Sequence, residues 1–207
     1  DPGYRIERFV FADGSEWSIP DIEWRVVVPA GTAGNDLIYG SRRNDTIDGL
    51  AGNDWLEGAA GDDTLNGGTG ADSLYGGDGN DTLISGASTA VDLELESNYN
   101  QLGNSAPRDR LAGGAGDDTY VINADSGYDQ ITDTMGANRI VLGQGLSAEN
   151  VIISAGSYWG HSGQTRIDFG SGAVFIDAGS RIDRIESADG LAITADAFGT
   201  YRLALVS

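Results

Sequence analysis

Six aspartates stand nine residues apart: Asp36, Asp45, Asp54, Asp63, Asp72 and Asp81. The chain has no cysteine and a single histidine, His161, so a cation held here would meet oxygen and not thiolate or imidazole. Calcium takes about six to eight oxygens at roughly 2.3–2.6 Å in flexible geometry, whereas magnesium demands a stricter octahedron and keeps its waters. Regular carboxylates supplemented by turn carbonyls therefore favour calcium.

The elements that position these carboxylates follow from the period. Residues 31–84 read as successive nonamers: GTAGNDLIY, GSRRNDTID, GLAGNDWLE, GAAGDDTLN, GGTGADSLY and GGDGNDTLI. Place one is always glycine, place six always aspartate, and place eight always Ile or Leu (Ile38, Ile47, Leu56, Leu65, Leu74, Leu83). Nine residues are too few for a helix and its connection, but they suffice for a six-residue turn and a three-residue strand. Glycine at places one and four is expected to supply positive φ in the turn. Side-chain alternation points place eight inward and places seven and nine outward.

Two nonamers make one coil of 18 residues, which gives two facing parallel sheets with turns stacked along both edges. The aspartates then form two columns, Asp36, Asp54 and Asp72 on one edge and Asp45, Asp63 and Asp81 on the other. Coils stack about 4.8 Å apart, so bare carboxylates would repel by roughly 3 kcal/mol per neighbouring pair at an effective dielectric of 20. Cations between them remove that cost, and each aspartate could bridge the ion above and the ion below. Carbonyls at places one and three of the turns complete the shells: Gly31, Ala33, Gly40, Gly49, Ala51, Gly58, Ala60, Gly67, Thr69, Gly76, Asp78, Gly113 and Ala115. A metal-free solenoid whose aspartates only shaped turns would not need the same carboxylate in every turn.

The period is interrupted after Ile84 and returns in GGAGDDTYV, residues 113–121. Counting back nine from Asp118 reaches Asp109, with Leu111 at the inward place, so the register survives an insertion of about 19 residues at 85–103. Asp109 is expected to join the Asp36 column and Asp118 the Asp45 column. Asp129, followed by Ile131, would extend the Asp109 edge through a turn two residues longer. About five to seven ions would fill the stack.

These nonamers resemble the RTX, or haemolysin-type, calcium-binding repeats. The resemblance implies a right-handed parallel β-roll, folding triggered by extracellular calcium, and export from a Gram-negative bacterium by type I secretion machinery. It also implies a module of a larger secreted or cell-surface protein, a toxin or adhesin among the options, and a β-rich segment after the repeats. Departures fall at place two, where Thr32, Ser41, Leu50 and Ala59 replace glycine, and at place four, where Arg43 does. The Arg43 turn is expected to be the weakest site.

Composition agrees with a thin core and a cation-loaded edge. There are 32 glycines, against a usual share of about 7%, and 32 acidic residues against 12 basic ones, a formal net charge of −20. Such a chain repels nucleic acid and anionic lipid, and no apolar run approaches the roughly 20 residues of a membrane span. The N-terminus lacks the basic and apolar regions of a signal peptide and reads as cut from something longer. Without disulfides, bound metal is the expected staple.

The expected organisation is an all-β chain with an N-terminal cap at 1–30, the β-roll at 31–132 and a C-terminal β-rich capping region at 133–207. Trp17, Trp24 and Val26–Val28 are expected to cover one end of the solenoid, since an open end exposes a strand edge. The ends resemble each other: Arg5, Ile6, Arg8, Ala12, Asp13 and Gly14 recur 176 residues later as Arg181, Ile182, Arg184, Ala188, Asp189 and Gly190. The chain is therefore expected to start with the tail of one unit and to end with the tail of the next.

No triad order, zinc motif or phosphate loop is present, and stacked carboxylates offer no cleft of the kind glycosidases use. The module itself is expected to be non-catalytic. The alternative is ligand recognition in an adhesin or polysaccharide-acting exoenzyme, with the insertion, or the loop carrying Tyr158, Trp159 and His161, contacting a glycan or cell-surface ligand.

Overall fold

The computed structural model describes residues 8–18, 27–87, 109–147, 151–158, 161–187, 191–195 and 201–205. Every regular element among them is a β-strand. The repeat strands are β3 (Leu37–Tyr39), β4 (Thr46–Asp48), β5 (Trp55–Ala60), β6 (Thr64–Asn66), β7 (Ser73–Asp78), β8 (Thr82–Ile84), β9 (Asp109–Ala115) and β10 (Thr119–Ile122). Odd strands pair only with odd and even only with even, all in parallel. This is a β-roll of 18-residue coils.

Place eight faces the interior in every coil. Ile38, Ile47, Leu56, Leu65, Leu74, Leu83 and Leu111 are buried in one apolar cluster shared by both sheets. Each contributes roughly 2 kcal/mol by leaving water. Their neighbours at places seven and nine face outward, and Leu37, Tyr39 and Trp55 are left exposed.

The roll continues across the insertion. Leu74 pairs with Leu111, and Leu83 with Tyr120, so one coil grows while the register holds. The same sheets then run on through β11 (Tyr128–Ile131) and β12 (Arg139–Leu142), with Asp129 beside Asp109. They continue into β15 (Ala173–Ile176) and β16 (Arg184–Ser187), both still parallel to the roll. Each sheet ends in two antiparallel strands, β14 (His161–Asp168) and β13 (Ile152–Tyr158) in one, β17 (Leu191–Ala195) and β18 (Tyr201–Leu205) in the other. The chain after the repeats is therefore built onto the same two eight-stranded sheets, and the reversal of strand direction stops further parallel growth.

β1 (Arg8–Val10) and β2 (Glu16–Ser18) form a separate two-stranded sheet. Its register, Arg8 with Ser18, Phe9 with Trp17 and Val10 with Glu16, is that of β16 and β17, where Arg184 meets Thr194, Ile185 meets Ile193 and Glu186 meets Ala192. The resemblance of the two ends is thus a resemblance of hairpins at the same offset of 176. Ile185 and Ile193 are buried in the roll, whereas Phe9 is 45% exposed and Trp17 packs edge-on against Phe11. Of the other residues expected to cap that end, Val28 packs against the core, but Val27 is exposed and covers nothing; Trp24 and Val26 lie outside the described residues.

Candidate metal centre

Both expected columns exist, and each is built as a ladder. The backbone N–H of one aspartate donates to Oδ1 of the aspartate in the next coil. On one edge Asp36 donates to Asp54, Asp54 to Asp72 and Asp72 to Asp109, each at 2.8 Å. On the other Asp45 donates to Asp63 at 2.7 Å, Asp63 to Asp81 at 2.8 Å and Asp81 to Asp118 at 2.8 Å. Asp109 and Asp118 take the positions that counting assigned to them. A second ladder runs beside each column at place five, with Asn35, Asn44, Asn53, Asp62 and Asn80 accepting from the following coil.

Oδ1 of each accepting aspartate, from Asp54 and Asp63 onward, is thereby committed to backbone. In Asp54, Asp63, Asp81 and Asp118 the other oxygen, Oδ2, is buried without a hydrogen-bond partner. A buried unpaired carboxylate oxygen is costly, and it lies over the place-one glycine of its own turn. A Cβ on Gly49 would be caught between Asp54 Oδ2 and, at 2.6 Å, the Gly67 carbonyl oxygen; Gly58 and Gly76 repeat the arrangement with Asp63 and Gly76, and with Asp81 and Gly113. Each such turn gathers a carboxylate and a carbonyl oxygen from the next coil around a bare glycine. These are hard oxygen donors, and the cradle fits a calcium ion.

The glycine roles differ from the expectation. Positive φ falls at places two and four, as at Gly77 (115°) and Gly79 (133°), while the place-one glycines are absent from that region. Place one is glycine because the carboxylate and the neighbouring coil occupy the volume of a side chain. Leu50 and Ala59, the non-glycine residues at place two, are held at φ 72° and 82°.

The first two turns close differently. Thr32 donates from its N–H (2.6 Å) and its hydroxyl (2.9 Å) to Asp36 Oδ2, and Ser41 does the same to Asp45 at 2.6 and 2.8 Å. Their place-two hydroxyls occupy the oxygen that stays unpartnered in Asp54, Asp63, Asp81 and Asp118. Of the expected carbonyl donors, those of Thr69, Asp78 and Ala115 already accept N–H groups from Gly52, Gly61 and Gly79, so their second lone pair is the one available. Those of Gly49, Gly58, Gly67, Gly76 and Gly113 face the glycine of the preceding coil. Asp129 is fully buried in line with Asp109. Among the described residues no three acidic or histidine side chains converge on one point, so backbone oxygens must make up the shells.

Burial dominates the electrostatics of the columns. Burial, partly offset by the N–H of Asp45, pushes Asp63 up to about 6, with repulsion from Asp81, Asp45 and Asp62 adding to it. Burial likewise raises Asp54 and Asp81 and carries Asp118 to about 7, with Asp133 the largest repelling charge. Against the usual 3.8, the folded metal-free chain holds more protons than the unfolded chain. Their contribution to stability is full below about 4 and is lost as pH rises through 6 and 7. In chelator, β-sheet circular dichroism is therefore expected to increase on acidification from pH 8 to pH 4; a decrease would show that the columns do not govern metal-free folding.

Other candidates are only partly placed. The insertion starts later than residue 85, because Ser85, Gly86 and Ala87 still stack on the coil of Gly67–Thr69, with Ala87 bridging Thr69; its 88–103 part and Trp159 lie outside the described residues, while Tyr158 and His161 are cross-strand partners in β13 and β14.

The family model for the RTX calcium-binding nonapeptide repeat matches residues 30–65, 57–88 and 108–120. No curated protein matches the chain. Among solved structures, that of the AlgE6R3 subunit from the Azotobacter vinelandii mannuronan C5-epimerase is similar at 20% identity and a TM-score of 0.46, covering 88% of this chain and 93% of that one.

Proposed function

We propose that this chain, whose residues 30–88 and 108–120 are RTX calcium-binding nonapeptide repeats, is a non-catalytic module of a larger secreted bacterial protein that folds when calcium enters its two aspartate columns. The observation that carries this reading is the row of buried Oδ2 atoms on Asp54, Asp63, Asp81 and Asp118 that find no hydrogen bond. A dication supplies to each what the protein does not. Asp36, Asp45, Asp72, Asp109 and, on the extended edge, Asp129 belong to the same columns.

The physical logic suits type I export from a Gram-negative cell. At cytosolic calcium levels, carboxylate repulsion keeps a chain of net charge −20 extended, and outside the cell ion binding becomes folding free energy. The test is calcium titration of the chain followed by circular dichroism, with magnesium as the competitor.

A second reading, recognition of a glycan, has one observation in its favour. On the outer face of β5 and β7, Trp55 and Tyr75 stack with ring centroids 4.5 Å apart, beside exposed Leu37 and Tyr39. Trp55, 41% exposed, offers an amphipathic aromatic surface of the kind that packs against the apolar face of a sugar ring. Calcium-loaded chain should then be retained on a polysaccharide array, and Trp55→Ala should weaken retention about tenfold with calcium-dependent folding unchanged. Equal retention of the variant would remove this reading.

A further inference from the structure

The turn that leads into β12 is a nonamer in disguise. Residues 133–141, DTMGANRIV, carry Gly136 at place four with φ 76°, Asn138 at place six and Ile140 at the inward place, paired with Tyr120. Places one and six have exchanged chemistry: an aspartate stands where glycine stood, and an amide where the carboxylate stood.

Asn138 keeps the ladder, its Oδ1 accepting the N–H of Asp118 at 2.9 Å. Its amide nitrogen donates to the carbonyls of Met135 and Arg181 at 2.6 and 3.0 Å, so it closes the turn and brings no charge. The carboxylate of this turn is that of Asp133, 3% exposed. Its Oδ2 accepts the hydroxyl of Tyr120 and its Oδ1 the N–H of Met135 at 3.1 Å. Tyr120 is fully buried at a place that is Leu or Ile in the six earlier nonamers, and its hydroxyl also accepts the N–H of Gly113 at 2.8 Å. The departure at place eight thus exists to hold the departure at place one.

Asp118, 1% exposed, has Oδ2 unpartnered and lying against Gly113, whose N–H donates to the same Tyr120 hydroxyl that Asp133 Oδ2 accepts. A solvent groove touches Asp118 but not Asp133, and its charged lining is mixed, Asp117 and Asp183 against Arg139 and Arg184. We propose that Asp118 and Asp133 together hold one calcium-type divalent cation, a site that joins a repeat ligand to a carboxylate outside the repeat pattern, in which two carboxylates neutralise one ion and Tyr120 fixes the second of them. The backbone of Asp133 also bonds to Ser180 Oγ and to the N–H of Arg181 at 3.0 and 2.7 Å. The ion therefore sits where the roll grips the segment leading into β16.

This inference rests on the calcium reading above, and its test separates the two. Isothermal titration of the whole chain with calcium is compared between the natural sequence and Asp133→Asn. One ion fewer is expected for the variant, with its unfolding midpoint in saturating calcium lowered. If Asp133→Asn does not fold, Tyr120→Phe decides: both carboxylates remain, and the affinity of one binding step is expected to fall about tenfold with the ion count unchanged. An unchanged ion count and affinity in Asp133→Asn, with greater metal-free stability, means the two carboxyls merely share a proton, and the site is refuted. Unaltered binding in Tyr120→Phe refutes it equally. Absence of calcium binding by the natural sequence would instead bring down the reading on which it rests.

Discussion

In chelator at neutral pH the chain is expected to show the circular dichroism of an unfolded polypeptide, and calcium should restore the β-sheet spectrum in a cooperative transition that magnesium does not reproduce. The two ladders bring carboxylates into register at every coil, and roughly 3 kcal/mol of repulsion per neighbouring pair accumulates along both edges. Against this stands a core one side chain wide in each strand, from Ile38 to Leu111. A domain's net stability is only about 5–15 kcal/mol, so a few uncompensated pairs remove all of it. On the proposed reading an ion would be shared between coils, hence the cooperativity: Oδ2 of Asp54 and the carbonyl of Gly67 both lie against Gly49, and neither is in place until both coils are. A fully folded chain in chelator at pH 7.5, or an equal response to magnesium, would overturn the assignment.

Gly76→Ala is expected to cost more than any exposed substitution, about 3 kcal/mol or more, read as a drop in the unfolding midpoint in saturating calcium. The added methyl would press on Asp81 Oδ2 and lie 2.6 Å from the carbonyl oxygen of Gly113. Overpacking of this kind costs about 1–3 kcal/mol by itself. It also displaces the oxygen that faces the cation, so calcium affinity should fall with stability. Gly14→Ala is the control: its φ of 83° makes alanine unfavourable, but nothing lies within 4 Å, and about 1–2 kcal/mol of strain stays in the β1–β2 hairpin. Equal behaviour of the two variants would mean that place-one glycine serves backbone conformation alone.

Much of the candidate site was legible because each nonamer repeats the same local solution. Glycine, aspartate and an aliphatic residue at three fixed places specify turn, ligand and core, and alternation within a three-residue strand decides which side chains face inward. The same counting carried the register to Asp109 and Asp118, since an insertion confined to one turn leaves the coils on either side free to pair. The turn of Asp133 and Asn138 escaped notice because its two informative residues have traded places. Tyr120 reads as an ordinary β-former until its hydroxyl is seen to reach a residue 13 positions away.

The sequence by itself determined the period, the two columns and the choice of a hard cation, all of which depend on residue type at a repeated spacing. Only the tertiary structure decided which oxygen of each aspartate is tied to backbone, because that depends on an N–H from a neighbouring coil at least 18 residues distant. It alone separated Asp36 and Asp45, whose Oδ2 atoms their own Thr32 and Ser41 satisfy, from Asp54, Asp63, Asp81 and Asp118, whose Oδ2 atoms have no hydrogen-bond partner. It also showed that the segment after the repeats extends the same sheets. Periodicity writes the local rule into the chain; contacts between coils, which no local pattern contains, settle how each carboxylate is used.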